Sequence, residues 1–170
     1  FGTNPCSEII LRDKEFCNLT EVVVRPSDTP ETLAEKVRLA TILGTWQATL
    51  TNFRYLSKEW KTNCEEETLL GVSLTGIMDN AYTNGSYYHN ERDKLPELLN
   101  ELKEITIDVN KKVAKQIGIN PSAAITCVKP SGTVSQLVDA SSGIHARHSP
   151  HYVRTVRGDK KDPLCQFLVE

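Results

Sequence analysis

The run Cys17-Asn18-Leu19-Thr20-Glu21-Val22-Val23-Val24 is rich in β-branched side chains, and the segment Ser27-Asp28-Thr29-Pro30-Glu31 follows it closely. β-Branched residues favour strands. Thr29 can cap a helix whose first residue is Pro30, because the N–H that proline lacks would be unpaired in the first helical turn anyway. The stretch therefore predicts a strand that leads directly into a helix.

Two amphipathic helices and further strands are predicted downstream of this unit. The helix from Pro30 is expected to run to about Ser57, and a second helix is expected to end at Gly118, a typical C-cap residue. Short strands are predicted at 123–128, where the segment is expected to be buried, and at 152–157. Long helices between strands indicate an α/β fold with parallel pairing. The apolar stripes expected to face the core are Leu39, Leu43, Trp46, Leu50 and Phe53 in the first helix, and Leu95, Leu98, Leu102, Ile105, Val109, Val113 and Ile117 in the second.

Composition limits the classes of function. The 170 residues suffice for one domain, and a net charge of −2 does not predict the basic face that nucleic acids require. No apolar run approaches the roughly 20 residues of a membrane span. The chain starts at Phe1 and stops at Glu170 without a tail-like composition, so we expect a piece of a longer protein. An odd number of scattered cysteines without a Cys-x-x-Cys pair indicates a reducing, cytoplasmic location: Cys6, Cys17, Cys64, Cys127 and Cys165.

A thiol, a carboxylate and an amide lie close together at the start of the chain. Asn4, Cys6 and Glu8 occupy alternate positions, so an extended backbone would point all three side chains the same way. Cys6 could act as a nucleophile or as a thiyl radical, and Glu8 could act as a general base toward a hydroxyl. This combination suits chemistry on a polyol such as ribose. The alternative is that Cys6 is a small buried hydrophobic residue beside a strand.

A second candidate site is the segment Lys129-Pro130-Ser131-Gly132-Thr133, between a predicted strand and a predicted helix. Free backbone amides at a helix start, beside hydroxyls and a glycine, can hold a phosphate, so Ser131, Gly132 and Thr133 are candidate phosphate ligands. An ordinary Ser/Thr helix cap is the alternative. The segment lacks the spacing of a P-loop.

Three histidines, His145, His148 and His151, lie three residues apart. Imidazoles on one helical face could bind a metal ion. Pro150 interrupts a helix here, however, and no acidic residue lies nearby to orient a ring. The pattern favours a solvated or phosphate-facing basic segment that includes Arg147, and we expect no metal.

Four motifs in this order resemble the ribonucleotide reductases, and most closely the adenosylcobalamin-dependent class II enzymes. They are Asn4-Pro5-Cys6-Ser7-Glu8-Ile9, Cys17-Asn18-Leu19, Gly71-Val72-Ser73-Leu74-Thr75-Gly76-Ile77-Met78-Asp79 and Pro130-Ser131-Gly132-Thr133. Pro5 and the short spacing from Cys6 to Cys17 favour class II over class I. The third motif is closer to the monomeric branch that reduces ribonucleoside triphosphates.

The resemblance implies a fold and a set of roles. Residues 1–170 would be part of a ten-stranded α/β barrel, namely its second half with a finger loop over 1–24, followed by helix and strand units over 25–170. The resemblance implies that Cys6 carries the thiyl radical, that Glu8 takes the 3′-hydroxyl proton and that Asn4 binds ribose hydroxyls. Cys17 would be one of two reducing thiols, and Ser131, Gly132 and Thr133 would hold the substrate phosphates.

The same resemblance implies adenosylcobalamin as the cofactor, a ribonucleoside tri- or diphosphate as the substrate and a thioredoxin-type protein as the reductant. The full-length enzyme would then make 2′-deoxyribonucleotides for DNA synthesis. Two alternatives stay open from the sequence. One is the large subunit of a di-iron class I reductase, and the other is a non-catalytic zinc- or phosphate-binding module that uses Cys6, Cys17, His145 and His148.

Overall fold

The computed structural model describes residues 1–89, 91–153 and 155–169. The strands are β1 (Gly2–Thr3), β2 (Ile10–Leu11), β3 (Asn18–Val23) and β4 (Leu70–Thr75). The helices are α1 (Pro30–Gln47), α2 (Lys58–Glu67), α3 (Lys94–Ile117), α4 (Thr133–Leu137) and α5 (Pro163–Val169). Short 3₁₀ turns lie at Ile77–Asp79 and Ser86–Tyr88.

A parallel sheet forms the centre of the fold. β3 pairs with β4 from Asn18 opposite Leu70 to Val23 opposite Thr75, and α1 and α2 make the connection between them. On the other side of β4, Thr126 pairs in parallel with Val72, whose N–H donates to the Ile125 carbonyl at 2.7 Å. The predicted α/β fold with parallel pairing is confirmed. β1 and β2 form a separate antiparallel hairpin.

The hydrophobic core lies between this sheet and helices α1 and α3. The strand predicted from the β-branched run at 17–24 is confirmed as β3, and α1 begins as predicted: Thr29 accepts a hydrogen bond from the Thr32 N–H, and Pro30 is the first helical residue. α1 packs against β3, β4 and α3. The largest buried core residues are Val22, Val24, Leu33, Val37, Leu70, Val72, Leu98 and Leu102.

The predicted end of α1 and its predicted buried face are wrong. α1 ends at Gln47, because the backbone tightens after it: the Leu50 N–H donates to the Gln47 carbonyl, and the Thr49 hydroxyl donates to the Trp46 carbonyl at 2.7 Å. The stripe residues Leu39, Leu43, Trp46 and Leu50 are exposed, Leu50 to 72%. Phe53 lies beyond the helix and packs edge-on against Phe16.

Small residues on the opposite face of α1 explain this difference. A Cβ at Gly44 would lie 2.3 Å from Leu70 Cδ1, so the glycine lets the helix approach the sheet closely. Thr41 and Thr45 are fully buried, and their hydroxyls donate to the carbonyls of Val37 and Thr41. Because the hydroxyl groups of both threonines are hydrogen-bonded to backbone carbonyls of the same helix, these side chains can face the core. Leu33 and Val37 share this buried face, whereas Leu39, Leu43 and Trp46 lie on the other side.

The second predicted helix is confirmed as α3, with Gly118 in a left-handed conformation at its C-terminus (φ 77°). Leu98 and Leu102 are buried as predicted, but the buried face continues through Thr106, Asn110 and Ala114. Asn110 is fully buried and donates to the hydroxyls of Thr45 and Ser122.

The two later strand predictions are not borne out. Residues 123–128 pair with β4 through a single bridge and stay largely exposed, with Val128 at 60%. In 152–157, the described residues 152, 153 and 155–157 form no strand, and Arg154 lies outside the described residues. Within the described ranges, no helix is both long enough and apolar enough to cross a membrane.

Candidate active site

The loop at residues 4–9, which joins β1 to β2, carries Cys6 at its tip and is called the Cys6 loop below. Asn4 closes this loop: its side-chain oxygen accepts from the Ile9 N–H at 3.1 Å, and its backbone N–H donates to the Ile9 carbonyl. Ser7 has a positive φ of 60°. The backbone is therefore not extended over this segment: the chain turns here, and the buried Asn4 amide holds the turn together.

Cys6 and Glu8 nevertheless come together, and Lys129 joins them. The Lys129 ammonium lies 2.9 Å from Glu8 Oε1 and 3.6 Å from Cys6 Sγ. Cys6 is exposed, whereas the Glu8 side chain is only 1% exposed. Burial opposes ionisation of Glu8, but hydrogen bonds from Lys129, its own backbone N–H and Asn4 outweigh burial and lower its pKa. The buried Oε2 has no hydrogen-bond partner among the described residues.

Two more thiols lie beside this group. Cys17, just before β3, is half-buried, and burial together with the nearby Glu8 carboxylate raises its pKa. Burial raises the pKa of Cys127 to about 11, and the charges of Glu8 and Cys17 add to this effect. Gly71 makes room for Cys127, since a Cβ there would lie 2.8 Å from its Sγ and 2.9 Å from Ile9 Cδ1. All five cysteines are free thiols.

We expect the thiols to differ in reactivity toward iodoacetamide. At pH 8, a thiol with a pKa of about 11 is ionised in only about one molecule in a thousand, and the thiolate is the reactive form. Exposed Cys6 should therefore be labelled at least about tenfold faster than Cys127 in the folded protein. Mass spectrometry of peptides from timed samples measures both rates, and labelling in urea should remove the difference. Equal rates in the folded protein would contradict the burial of Cys127.

The segment at residues 129–133, called the Gly132 loop below, leads into the five-residue helix α4. Gly132 has a positive φ of 55°, and a Cβ there would meet no atom within 4 Å. Thr133 is exposed, whereas Ser131 is buried and donates its hydroxyl to Glu21 Oε1 at 2.6 Å. Gly132 and Thr133 are therefore open to a ligand, but the Ser131 hydroxyl would have to leave Glu21 to reach a phosphate.

His145, His148 and His151 are all exposed. Over the described ranges, no three His, Cys, Asp or Glu side chains are grouped so that they could hold a metal ion. Arg147, in the same segment, instead forms ion pairs with Asp79 and Asp139.

The sequence motifs indicate roles for Cys6, Glu8 and Cys17 but not for Lys129 or Cys127, which the fold brings beside them. Cys127 lies in the strand-like segment that hydrogen-bonds to β4, and Lys129 follows that segment. The Cys6 loop precedes β3, and no local sequence pattern connects it to this segment, so the sequence carried no signal for the contact.

Comparison with known proteins gives a consistent result. No protein-family model matches the chain. Over 191 aligned positions, covering 99% of the chain, it is 30% identical to the adenosylcobalamin-dependent ribonucleoside-triphosphate reductase of Lactobacillus acidophilus. It is 28% identical to the reductase of the same name from Lactobacillus leichmannii. The chain spans only about a quarter of the length of each relative, 25% in both cases.

A solved structure of a B12-dependent (class II) ribonucleotide reductase has a similar fold. The TM-score is 0.67 and the sequence identity is 26%, and the match covers 85% of this chain and 23% of the solved one. The chain is therefore homologous, over nearly its whole length, to a quarter-length segment of the B12-dependent (class II) ribonucleotide reductases.

Proposed function

We propose that the full-length protein that contains this chain reduces ribonucleoside triphosphates to 2′-deoxyribonucleotides by radical chemistry at Cys6. The observation that carries this proposal is the pairing of an exposed thiol with a buried, ionised carboxylate in one loop. The names of the homologous proteins support the substrate class. The chain would be the finger loop (residues 1–24) and following units (25–170) of a ten-stranded barrel.

Each residue of the site would have a separate task. Cys6, which is exposed, would take the 3′ hydrogen atom of the ribose as a thiyl radical. Glu8 would accept the 3′-hydroxyl proton on Oε2, the oxygen that has no hydrogen-bond partner among the described residues. Asn4 would contact the ribose hydroxyls only after loosening its hold on the Ile9 N–H.

The reducing step would use thiols. Cys17 and a second thiol from outside this chain would give up two electrons and two protons and end as a disulfide, while the 2′-hydroxyl leaves as water. A thioredoxin-type protein would then reduce the disulfide. The five free cysteines agree with a reducing, cytoplasmic location.

Adenosylcobalamin would be the cofactor, as in the homologous reductases. The exposed position of Cys6 fits this assignment, because a thiol at a loop tip can be reached from outside the chain. When bound, the cofactor supplies radical chemistry. This chain would contribute Cys6 as the thiol that takes part in it.

The direct test is an assay of the full-length protein with a ribonucleoside triphosphate, a dithiol and adenosylcobalamin. We expect deoxyribonucleotide formation that depends on all three components. Activity that requires a separate di-iron radical subunit instead of adenosylcobalamin would assign the protein to class I. Stoichiometric zinc without reductase activity would support the structural-module alternative.

A variant at Thr133 tests the phosphate site. Thr133→Val removes an exposed hydroxyl and should change stability by less than about 0.5 kcal/mol. If the Gly132 loop holds the substrate phosphates, the Michaelis constant for the nucleotide should rise about tenfold, since one hydrogen bond to a charged group is worth about 1.5 kcal/mol or more. Thr62→Val, at an exposed threonine of α2, is the matched control. An unchanged Michaelis constant would contradict the phosphate assignment.

A further inference from the structure

We propose that Lys129 is a positioning residue of this site, which fixes the orientation of the Glu8 carboxylate and holds the Cys6 loop against the parallel sheet. The inference rests on the proposed function. It assigns a role to a side chain whose sequence position indicates only the start of the Gly132 loop.

The backbone of Lys129 is fixed by the sheet. Its N–H donates to Ser73 Oγ at 3.0 Å, and Ser73 is a buried residue of β4. On the other side, Gly143 packs against the Lys129 carbonyl, where a Cβ at Gly143 would lie 2.6 Å from that oxygen. The ammonium group therefore extends from a rigid base.

The side chain of Lys129 connects two parts of the chain that are far apart in sequence. Among the described residues, the Cys6 loop forms its other hydrogen bonds within residues 3–9, chiefly through Asn4. The hydrogen bonds from Lys129 Nζ to Cys6 and Glu8 link it to the sheet. One cation thus sets the position of both groups relative to β4.

The charge of Lys129 matters because Glu8 is buried. A buried carboxylate without a compensating partner would take up a proton, and a protonated Glu8 could not accept another from a substrate hydroxyl. The other titratable groups around Glu8 are the thiols of Cys6, Cys17 and Cys127. A thiol is neutral when protonated and negative when ionised, so none of these cysteines can supply the positive charge that Lys129 places beside Glu8.

The contact also distinguishes the two oxygens of Glu8. Lys129 binds Oε1, and Oε2 stays without a hydrogen-bond partner in the described part of the chain. A buried acceptor without a partner is costly in a folded protein, and a substrate hydroxyl would satisfy it. Lys129 therefore determines which oxygen faces the substrate.

The test uses the full-length protein with Lys129→Met, which removes the charge but keeps the apolar stem. We expect the acid limb of the pH profile of kcat/KM to move to higher pH by about one unit or more, because Glu8 would then ionise only at higher pH. At the pH of the wild-type acid midpoint, kcat/KM should fall by about fivefold or more, with recovery toward pH 8.5 and a Michaelis constant at pH 8.5 within about threefold of wild type. Lys129→Arg should retain the wild-type profile.

Lys36→Met is the matched control, since Lys36 also pairs with a buried carboxylate, Asp28, but from α1. It should lower the melting temperature and leave the acid limb in place. The inference would be overturned if Lys129→Met kept the acid limb of wild type and lost activity only in proportion to its loss of stability. Unchanged activity of that variant at the wild-type acid midpoint would also overturn it.

Infrared titration gives a readout that does not depend on activity. The difference between the infrared spectra of wild type and Glu8→Gln identifies the carboxylate band of Glu8. As the pH is lowered, this band should disappear at a higher pH in Lys129→Met than in wild type. An unshifted band overturns the inference even if the reductase is active. A wild-type protein that fails to reduce any ribonucleotide overturns the proposed function, while the band still tests Lys129.

Discussion

Replacing Cys6 with serine is expected to lower kcat for ribonucleotide reduction by more than about 10⁴-fold in the full-length protein, as for removal of the reacting group in other covalent mechanisms. Serine is nearly the same size as cysteine, and Cys6 is exposed, so the fold should not change. The O–H bond of serine is too strong for the hydrogen-atom exchange that the thiol would perform. Product formation measured by chromatography, together with the melting temperature, checks the result.

Cys165→Ser is the control for this experiment, because it makes the same chemical change in α5, outside the Cys6 loop. It should retain wild-type activity. If Cys6→Ser kept a tenth of the wild-type rate, the thiyl assignment would be wrong, and Cys17 or Cys127 would have to be tested in its place.

The largest effect on stability is expected at Gly76, which follows β4. Its φ is +78°, and a Cβ there would lie 2.5 Å from the backbone oxygen of Val24. Gly76→Ala should therefore add a steric clash with a backbone atom to the usual cost of a left-handed conformation. We expect the free energy of unfolding to fall by about 3 kcal/mol or more. Urea denaturation followed by circular dichroism measures the change.

Gly118→Ala separates these two contributions. Gly118 has nearly the same φ, +77°, but a Cβ there would meet no atom within 4 Å. Only the conformational cost should remain, about 1–2 kcal/mol. If both variants lost the same free energy of unfolding, the short distance between a Cβ at position 76 and the Val24 carbonyl would add no steric cost.

The parts of the fold that the sequence predicted correctly are those with strong local signals. β3 follows from its β-branched residues, the start of α1 from Thr29 and Pro30, and the end of α3 from Gly118. The buried face of α1 could not be predicted in the same way, because beyond Leu33 and Val37 it consists of small and polar residues, namely Ala40, Thr41, Gly44 and Thr45. A rule that assigns the largest apolar side chains to the core selects the opposite face.

In the candidate site, too, local features could be predicted from the sequence and long-range contacts could not. Cys6 and Glu8 are two residues apart, so their proximity could be predicted from the sequence. Their contact with Lys129 joins positions more than 120 residues apart, and it depends on the backbone hydrogen bonds between residues 124–127 and β4. No local pattern encodes that pairing. The role of Asn4 in closing the loop was also missed, because the turn at Ser7 has no glycine to indicate it.

The parallel sheet has a consequence for how this segment folds. Asn18 and Leu70 are paired although about fifty residues separate them, and a similar distance separates Val72 from Thr126. Closing loops of this length costs entropy before any strand contact forms, whereas α1 and α3 need only local contacts. The helices should thus form early and the sheet late. Until the sheet forms, Lys129 cannot reach Cys6 and Glu8, so the site is assembled among the last parts of the structure.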